Sequence, residues 1–340
     1  MSPRGGATAT AVCAVALALT GCSGIQSSTD PHGPVAGAIY GLFIVFMIVA
    51  AIVQGGVTIA LLLGALRRRR LDARSVLELD PASERRATLV VSALVGLTAA
   101  TIAGLTLLSF FVGRTDARLA GSQELVVRVT AHQWWWEFTF EDPAPDRQLT
   151  TANELHIPVG RPVRLKLLSP DVIHSFWVPA LSGKKDLIPG RLNEILVQAD
   201  KAGVFRGQCA EYCGLQHANM ALKIVAEPPA QFDRWFAAQL TPAAEPRGAQ
   251  ATRGREVFLS SGCALCHRIR GTSAAAVFGP DLTHLASRSM LAAGAAPMTP
   301  GGLGGWIADP QTVKPGSKMP RVPLSGPELV ALVAYLEELK

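Results

Sequence analysis

Two thiolates, an imidazole, a thioether and a carboxylate fall within twelve residues, in Cys209-Ala-Glu-Tyr-Cys213-Gly-Leu-Gln-His217-Ala-Asn-Met220. Thiolate and thioether are soft donors, and with imidazole they favour copper over magnesium, calcium or manganese. A four-cysteine zinc site needs a second cysteine pair nearby, and none is at hand. A single blue-copper ion takes one cysteine, two histidines and a weak methionine, one cysteine fewer than this stretch offers. Two cysteines could instead bridge two copper ions, each ion taking one histidine. The second histidine then comes from upstream, and His174 in Asp171-Val-Ile-His-Ser-Phe-Trp177 is the candidate. Reading the cysteines as small buried hydrophobes leaves His217 and Met220 unexplained.

A second redox signature lies further on. Cys263-Ala-Leu-Cys266-His267 has the spacing of covalent c-type haem attachment. Two thioethers anchor the porphyrin, and the next residue turns its imidazole onto the iron. A thioredoxin-like disulfide is the other reading of a paired cysteine motif. The adjoining histidine and the lack of a βαβ pattern count against it. A methionine as sixth ligand suits electron transfer because it raises the reduction potential. Met290, Met298 and Met319 are the candidates, and Met319 precedes a terminal helix expected over 326–339. His284 is read as structural, since a second histidine ligand would displace the methionine.

These groups need a scaffold, and the composition says part of it is in a membrane. The chain has 340 residues, 49% hydrophobic and only 17% charged. After Arg4 comes a short apolar run, 11–19, and then Leu19-Thr-Gly-Cys22, which resembles a bacterial lipoprotein cleavage box. Residues 1–21 are therefore expected to be an export signal, leaving Cys22 as a lipidated first residue. Residues 35–66 and 87–112 are each longer than the roughly 20 residues that span a bilayer. Neither shows the polar face of a buried helix in a soluble core. The loop between them carries Arg67, Arg68, Arg69, Arg70, Arg74, Arg85 and Arg86, so it is expected on the cytoplasmic side. A transmembrane hairpin over 35–112 then leaves both termini outside, in agreement with the export signal. Cysteine use fits: Cys13 leaves with the signal, and no cysteine remains for a structural disulfide.

From 115 to 227 short β-patterned runs such as Leu125-Val-Val-Arg-Val129 and Val163-Arg-Leu-Lys-Leu167 alternate with Pro and Gly turns, as in a β-sandwich or barrel. Residues 114–227 hold thirteen basic and thirteen acidic side chains, so no basic patch for nucleic acid is expected. Trp134, Trp135 and Trp136 cannot all face one core, because neighbours on a strand point to opposite faces. At least one is expected at an interface. Residues 228–250 read as a helix and then a flexible linker, and 251–340 as the haem domain.

The copper stretch, with His174, His132-Gln-Trp-Trp-Trp-Glu-Phe138 and Lys185-Asp-Leu-Ile-Pro-Gly-Arg191, resembles the dinuclear copper (CuA) subunit II of cytochrome c oxidase. Gly279-Pro-Asp-Leu-Thr283, Trp306-Ile-Ala-Asp-Pro310 and Gly316-Ser-Lys-Met-Pro320 resemble class I cytochrome c. Together they are similar to a caa-type subunit II, in which a cytochrome c is fused behind the copper domain. The resemblance implies a multi-domain membrane protein: a two-helix transmembrane hairpin, a cupredoxin-like Greek-key β-barrel and an all-α cytochrome c domain. It implies that Cys209 and Cys213 bridge both coppers, that His174 and His217 bind one each, and that Met220 and the Glu211 carbonyl complete the sites. Cys263, Cys266, His267 and Met319 hold the haem c in this reading. Trp134 matches the position where electrons enter, and Trp136 is expected beside the copper. Glu211 is also expected to reach a magnesium ion shared with subunit I. Glu84 is the nearest match to a proton entrance, although the Trp-Thr-x-x-Pro pattern usual there is absent.

Electrons would pass from haem c to CuA and on to haem a in subunit I, whose haem a and CuB centre reduces oxygen. The implied partners are subunit I and other oxidase subunits, membrane lipid, and a cytochrome c or a quinol–cytochrome c reductase as donor. The expected location is the bacterial plasma membrane, with both redox domains on the outer face. Cys209 and Cys213 argue against a quinol oxidase subunit II, which lacks the copper ligands. The paired helices and the 186–191 loop favour an oxygen reductase over a nitric oxide or nitrous oxide reductase. The haem motif separates the chain from a non-catalytic copper carrier.

Overall fold

The computed structural model describes residues 24–68, 81–115, 121 and 124–340. The export signal with Cys22, and the 69–80 part of the arginine-rich loop, lie outside the described residues.

Two helices, α1 (Pro34–Arg68) and α2 (Pro81–Val112), are 35 and 32 residues long. At about 1.5 Å per residue each exceeds the hydrocarbon core of a bilayer. Large apolar side chains such as Ile52, Leu61 and Leu97 are exposed along them, a surface that lipid would satisfy and water would not. Glu84 sits in the first turn of α2, where a carboxylate also complements the helix dipole. Residues Ala38–Arg118 form a compact unit of their own, and the rest of the chain forms the other.

In that second unit two five-stranded sheets face each other. One is ordered β3-β2-β1-β5-β8 and the other β4-β10-β9-β6-β7. The strands are β1 (Leu125–His132), β2 (Trp135–Phe140), β3 (Leu149–Ala152), β4 (Glu154–Pro158), β5 (Val163–Leu168), β6 (His174–Trp177), β7 (Lys185–Leu187), β8 (Asn193–Val197), β9 (Gly203–Cys209) and β10 (Ala221–Glu227). Each sheet contains one parallel pair, β1 with β5 and β4 with β10, and the remaining pairs are antiparallel. The period-2 pattern decides which side chains go in. Val163, Leu165 and Leu167 are buried, whereas Arg164 and Lys166 reach outwards to Glu124 and Glu141. On β2 the inward set is Trp136, Phe138 and Phe140.

A helix, α3 (Pro229–Gln239), closes one edge of this core with Phe232 and Phe236, and its Trp235 stacks on His156 at 4.1 Å. No long tether leads on from it. Only 240–247 separate α3 from α4 (Gly248–Ser260), and that segment is held. Ala243 N–H donates to the Arg270 carbonyl at 2.9 Å, Arg247 N–H to Glu338 at 2.7 Å, and the Arg270 guanidinium to the Leu240 and Gln239 carbonyls. The helix expected at the start of 228–250 is present, and the flexible linker expected after it is a bound strap.

The C-terminal part is helical around α4, α5 (Pro300–Ala308), α6 (Pro310–Val313) and α7 (Gly326–Glu337), with a two-residue hairpin of β11 (Met290–Leu291) and β12 (Ala296–Pro297). Ser325 and Glu328 form a reciprocal capping box at the start of α7. Val257, Phe258, Leu332, Tyr335 and Leu336 make the core where α4 meets α7. The crossing is close because of Gly254: a Cβ there would lie 2.6 Å from the Ala331 carbonyl carbon and 2.7 Å from Tyr335 Cβ. Gly254→Ala should therefore force the two helices apart and cost about 1–3 kcal/mol, the usual range for overpacking. Thermal unfolding followed through the haem band of the full chain measures this, and a melting temperature equal to wild type would refute the close crossing.

Candidate metal and haem centres

Sheet register brings the soft donors together. Strand β6 runs antiparallel to β9 with Phe176 opposite Cys209, so His174 and Cys209 sit at the same end of the sheet. Strands β9 and β10 form a hairpin, and Cys209 N–H donates to the Met220 carbonyl at 3.0 Å across the base of its loop. Cys213 and His217 are carried on that loop.

The two sulfurs lie 3.8 Å apart. That is nearly twice the ~2.05 Å of a disulfide bond, so both thiols are free. Donor atoms of His174, Cys209 and Cys213 all lie within 4.8 Å of one another, and all three residues are buried. On the Cys209 side are His174 Nδ1 at 3.9 Å and the Glu211 carbonyl at 3.2 Å. On the Cys213 side are His217 Nδ1 at 3.5 Å and Met220 Sδ at 3.9 Å. A sulfur pair flanked at each end by one imidazole and one weak donor fits two soft ions better than one.

Electrostatics point the same way. The hydrogen bond shared by the two sulfurs sets them apart, holding Cys209 below the usual thiol range and Cys213 above it. A bound cation removes that conflict, since a coordinated thiol is deprotonated outright. His174 Nε2–H donates to Asp171 Oδ1 at 2.8 Å, which leaves the Nδ1 lone pair facing the sulfurs. Burial opposes ionisation of Asp171, but hydrogen bonds from His174, Val172 and Gln133 outweigh it and hold the carboxyl well below its usual range. Asp171 is a member of this site that the spacing of the ligands did not single out.

The three tryptophans divide their roles. Trp134 Nε1–H donates to the Cys213 carbonyl at 3.0 Å, beside Gln133 Nε2–H at 2.9 Å. Trp135 stacks on His132 at 4.4 Å. Trp136 is fully buried, edge-on to the His174 ring at 6.4 Å, with its indole N–H 3.3 Å from the Met220 carbonyl. Glu211 sends its side chain the other way, to Lys184 at 3.2 Å.

The second signature folds as a tight turn. After α4, Gly262 takes the left-handed conformation (φ 89°) that starts the 3₁₀ turn Cys263–Leu265. His267 N–H donates to the Cys263 carbonyl at 3.0 Å, and Gly279 N–H to the Cys266 carbonyl at 2.8 Å. His267 Nδ1–H donates to the Pro280 carbonyl at 2.8 Å, so Nε2 keeps its lone pair. Burial pushes the His267 pKa down, which favours the neutral ring that can ligate. Leu265 and Phe278, on the segments that carry these groups, are 74% and 83% exposed. Exposed apolar side chains on these segments suit the face of a porphyrin. His284 is excluded as a ligand, because both ring nitrogens are taken by main-chain carbonyls, of Lys340 at 2.8 Å and Thr241 at 3.0 Å. Met290 is buried in β11, Met298 packs on the helical core, and Met319 is half-buried in the loop between α6 and α7.

Residues 142–227 match the family described as cytochrome C oxidase subunit II, periplasmic domain, and residues 251–340 match cytochrome c. Cytochrome c oxidase subunit 2 of Alkalihalophilus pseudofirmus is 36% identical over 329 residues, covering 95% of this chain and 94% of that protein. The Bacillus subtilis protein of the same name is 33% identical over 227 residues, 64% of this chain and 62% of that protein. The crystal structure of the periplasmic domain of subunit II of cytochrome oxidase from Bradyrhizobium japonicum is 32% identical, with a TM-score of 0.33, covering 35% of this chain and 95% of that one. With a copper-type sulfur pair, a haem-attachment turn and a relative aligned along nearly its whole length, the chain belongs to the cytochrome c oxidase subunit 2 family.

Proposed function

We propose that this chain receives electrons at a haem c held by Cys263, Cys266, His267 and Met319 and delivers them through a CuA centre to subunit I of a membrane-bound cytochrome c oxidase. The observation that carries the reading is the placement of Trp134. Its indole donates to the carbonyl of the copper-site Cys213, while the loop ahead of Met319 packs on its outer face. When bound, the two groups would supply one-electron carriers.

The chain's own residues do the rest. Cys209, Cys213, His174, His217, Met220 and the Glu211 carbonyl would hold the copper pair. Asp171 fixes the His174 tautomer, and Trp136 keeps water from that ring. The Glu211 carboxylate is paired with Lys184 and would have to leave that pair to serve a magnesium ion shared with subunit I. With the arginine-rich loop on the cytoplasmic side, both termini and both redox domains would lie on the outer face. We place the copper domain at 115–227 and the haem domain at 251–340, although α3 packs Phe232 and Phe236 into the copper-domain core and α4 begins at Gly248, ahead of the second limit.

Three substitutions test the assignments. Cys213→Ser should abolish the dinuclear copper spectrum and leave the haem spectrum intact; two coppers with an unchanged mixed-valence signal would overturn it. Gly279→Ala would bring a methyl within 2.7 Å of His267 Cε1. It should displace the ring and shift the haem towards high spin, seen in the visible spectrum. Met319→Ala should lower the haem potential and remove the sulfur-to-iron charge-transfer band. If Met298→Ala does this and Met319→Ala does not, the ligand has been misassigned.

A further inference from the structure

One buried lysine is explained by neither centre. Lys314, at the end of α6, is 2% exposed. Its Nζ lies 2.7 Å from the Trp134 carbonyl, 2.7 Å from the Asn219 carbonyl and 2.8 Å from the Ala292 carbonyl. An ammonium has three N–H donors, and here each meets a main-chain oxygen. Two of those oxygens belong to the copper domain and the third to the haem domain.

We propose that Lys314 is an interdomain latch: its side chain, plugged into the Trp134–Asn219–Ala292 carbonyl cage, holds the haem domain docked on the copper domain as a fixed relay rather than a mobile, tethered one. The cage is next to the chemistry at both ends. Asn219 precedes the copper-site Met220, Trp134 hydrogen-bonds the Cys213 carbonyl, and Lys314 begins the loop that carries Met319. Contacts around it use the same surfaces. Gln216 Nε2–H donates to the Pro315 carbonyl at 2.8 Å, and a Cβ on Gly316 would lie 3.6 Å from Trp134 Cη2. Further along the seam, the buried Glu154 carboxylate accepts from the Ser289 hydroxyl at 2.9 Å and from Met290 N–H at 3.2 Å. Lys223 reaches the same hydroxyl at 2.5 Å. Burying an ammonium is unfavourable unless its donors are satisfied, so a saturated cage is stable only while both domains supply their oxygens.

The latch deepens the electron-transfer reading and rests on it only for its second test. The first test uses the wild-type oxidase complex and an amine-acylating reagent, with peptides read by mass spectrometry. Lys318, four residues on and 72% exposed at its side chain, is the internal control. Lys314 should acylate at least tenfold more slowly than Lys318 in the native complex and at the same rate after denaturation. Burial lowers rather than raises the Lys314 pKa, so slow labelling would not reflect a more firmly held proton. Equal native rates would overturn the latch, whatever the redox behaviour. The second test is flash-induced electron transfer from haem to copper in Lys314→Met with both spectra intact. A rate at least tenfold slower, and newly dependent on solvent viscosity, is expected. An unchanged rate would overturn the latch. If the variant does not assemble, the wild-type labelling decides.

Discussion

The pairing of β6 with β9 is the constraint on which the copper site depends. His174 and Cys209 are 35 positions apart in the chain, and only the register that sets Phe176 opposite Cys209 brings them to one sheet end. A slip of one residue would turn one donor to the other face of the sheet. The aromatic core guards against that slip: Trp136 packs edge-on against both His174 and Phe176. The ligand loop is then short enough, and closed tightly enough between Cys209 and Met220, to deliver Cys213 and His217 without help from another chain.

The hydrogen bonds to the ligands arise at the same end of the sandwich. Asp171 lies three residues before His174 and also accepts from the Gln133 main chain, so it joins the β1–β2 turn to the imidazole. Gln133 and Trp134 converge on a single acceptor, the Cys213 carbonyl. Each bond orients a group whose other face looks towards a redox centre, as ligand-orienting hydrogen bonds do in metal sites.

What could be read from the chain was local in sequence. The Cys-x₃-Cys-x₃-His-x₂-Met spacing and the Cys-x₂-Cys-His run each lie on one short segment whose geometry is set by its own turn. Alternation along 163–167 was enough to predict which side chains enter the core. Asp171, Lys314 and Glu154 were not legible, because their meaning depends on what another part of the chain places opposite them. A lysine in Val-Lys-Pro-Gly carries no mark of burial, and its three acceptors come from residues 134, 219 and 292. The bound strap at 240–247 was missed for the same reason. Its Ala/Pro-rich composition reads as flexible, and the guanidinium that holds it, Arg270, comes from beyond α4.

The haem domain docks on the backbone of the very loop that carries the copper ligands, through the Asn219 carbonyl and the Gln216 side chain. Ordering of that loop is therefore common to two equilibria, metal retention and domain association. Thermodynamic reciprocity then requires that whatever free energy copper contributes to docking, docking returns to copper.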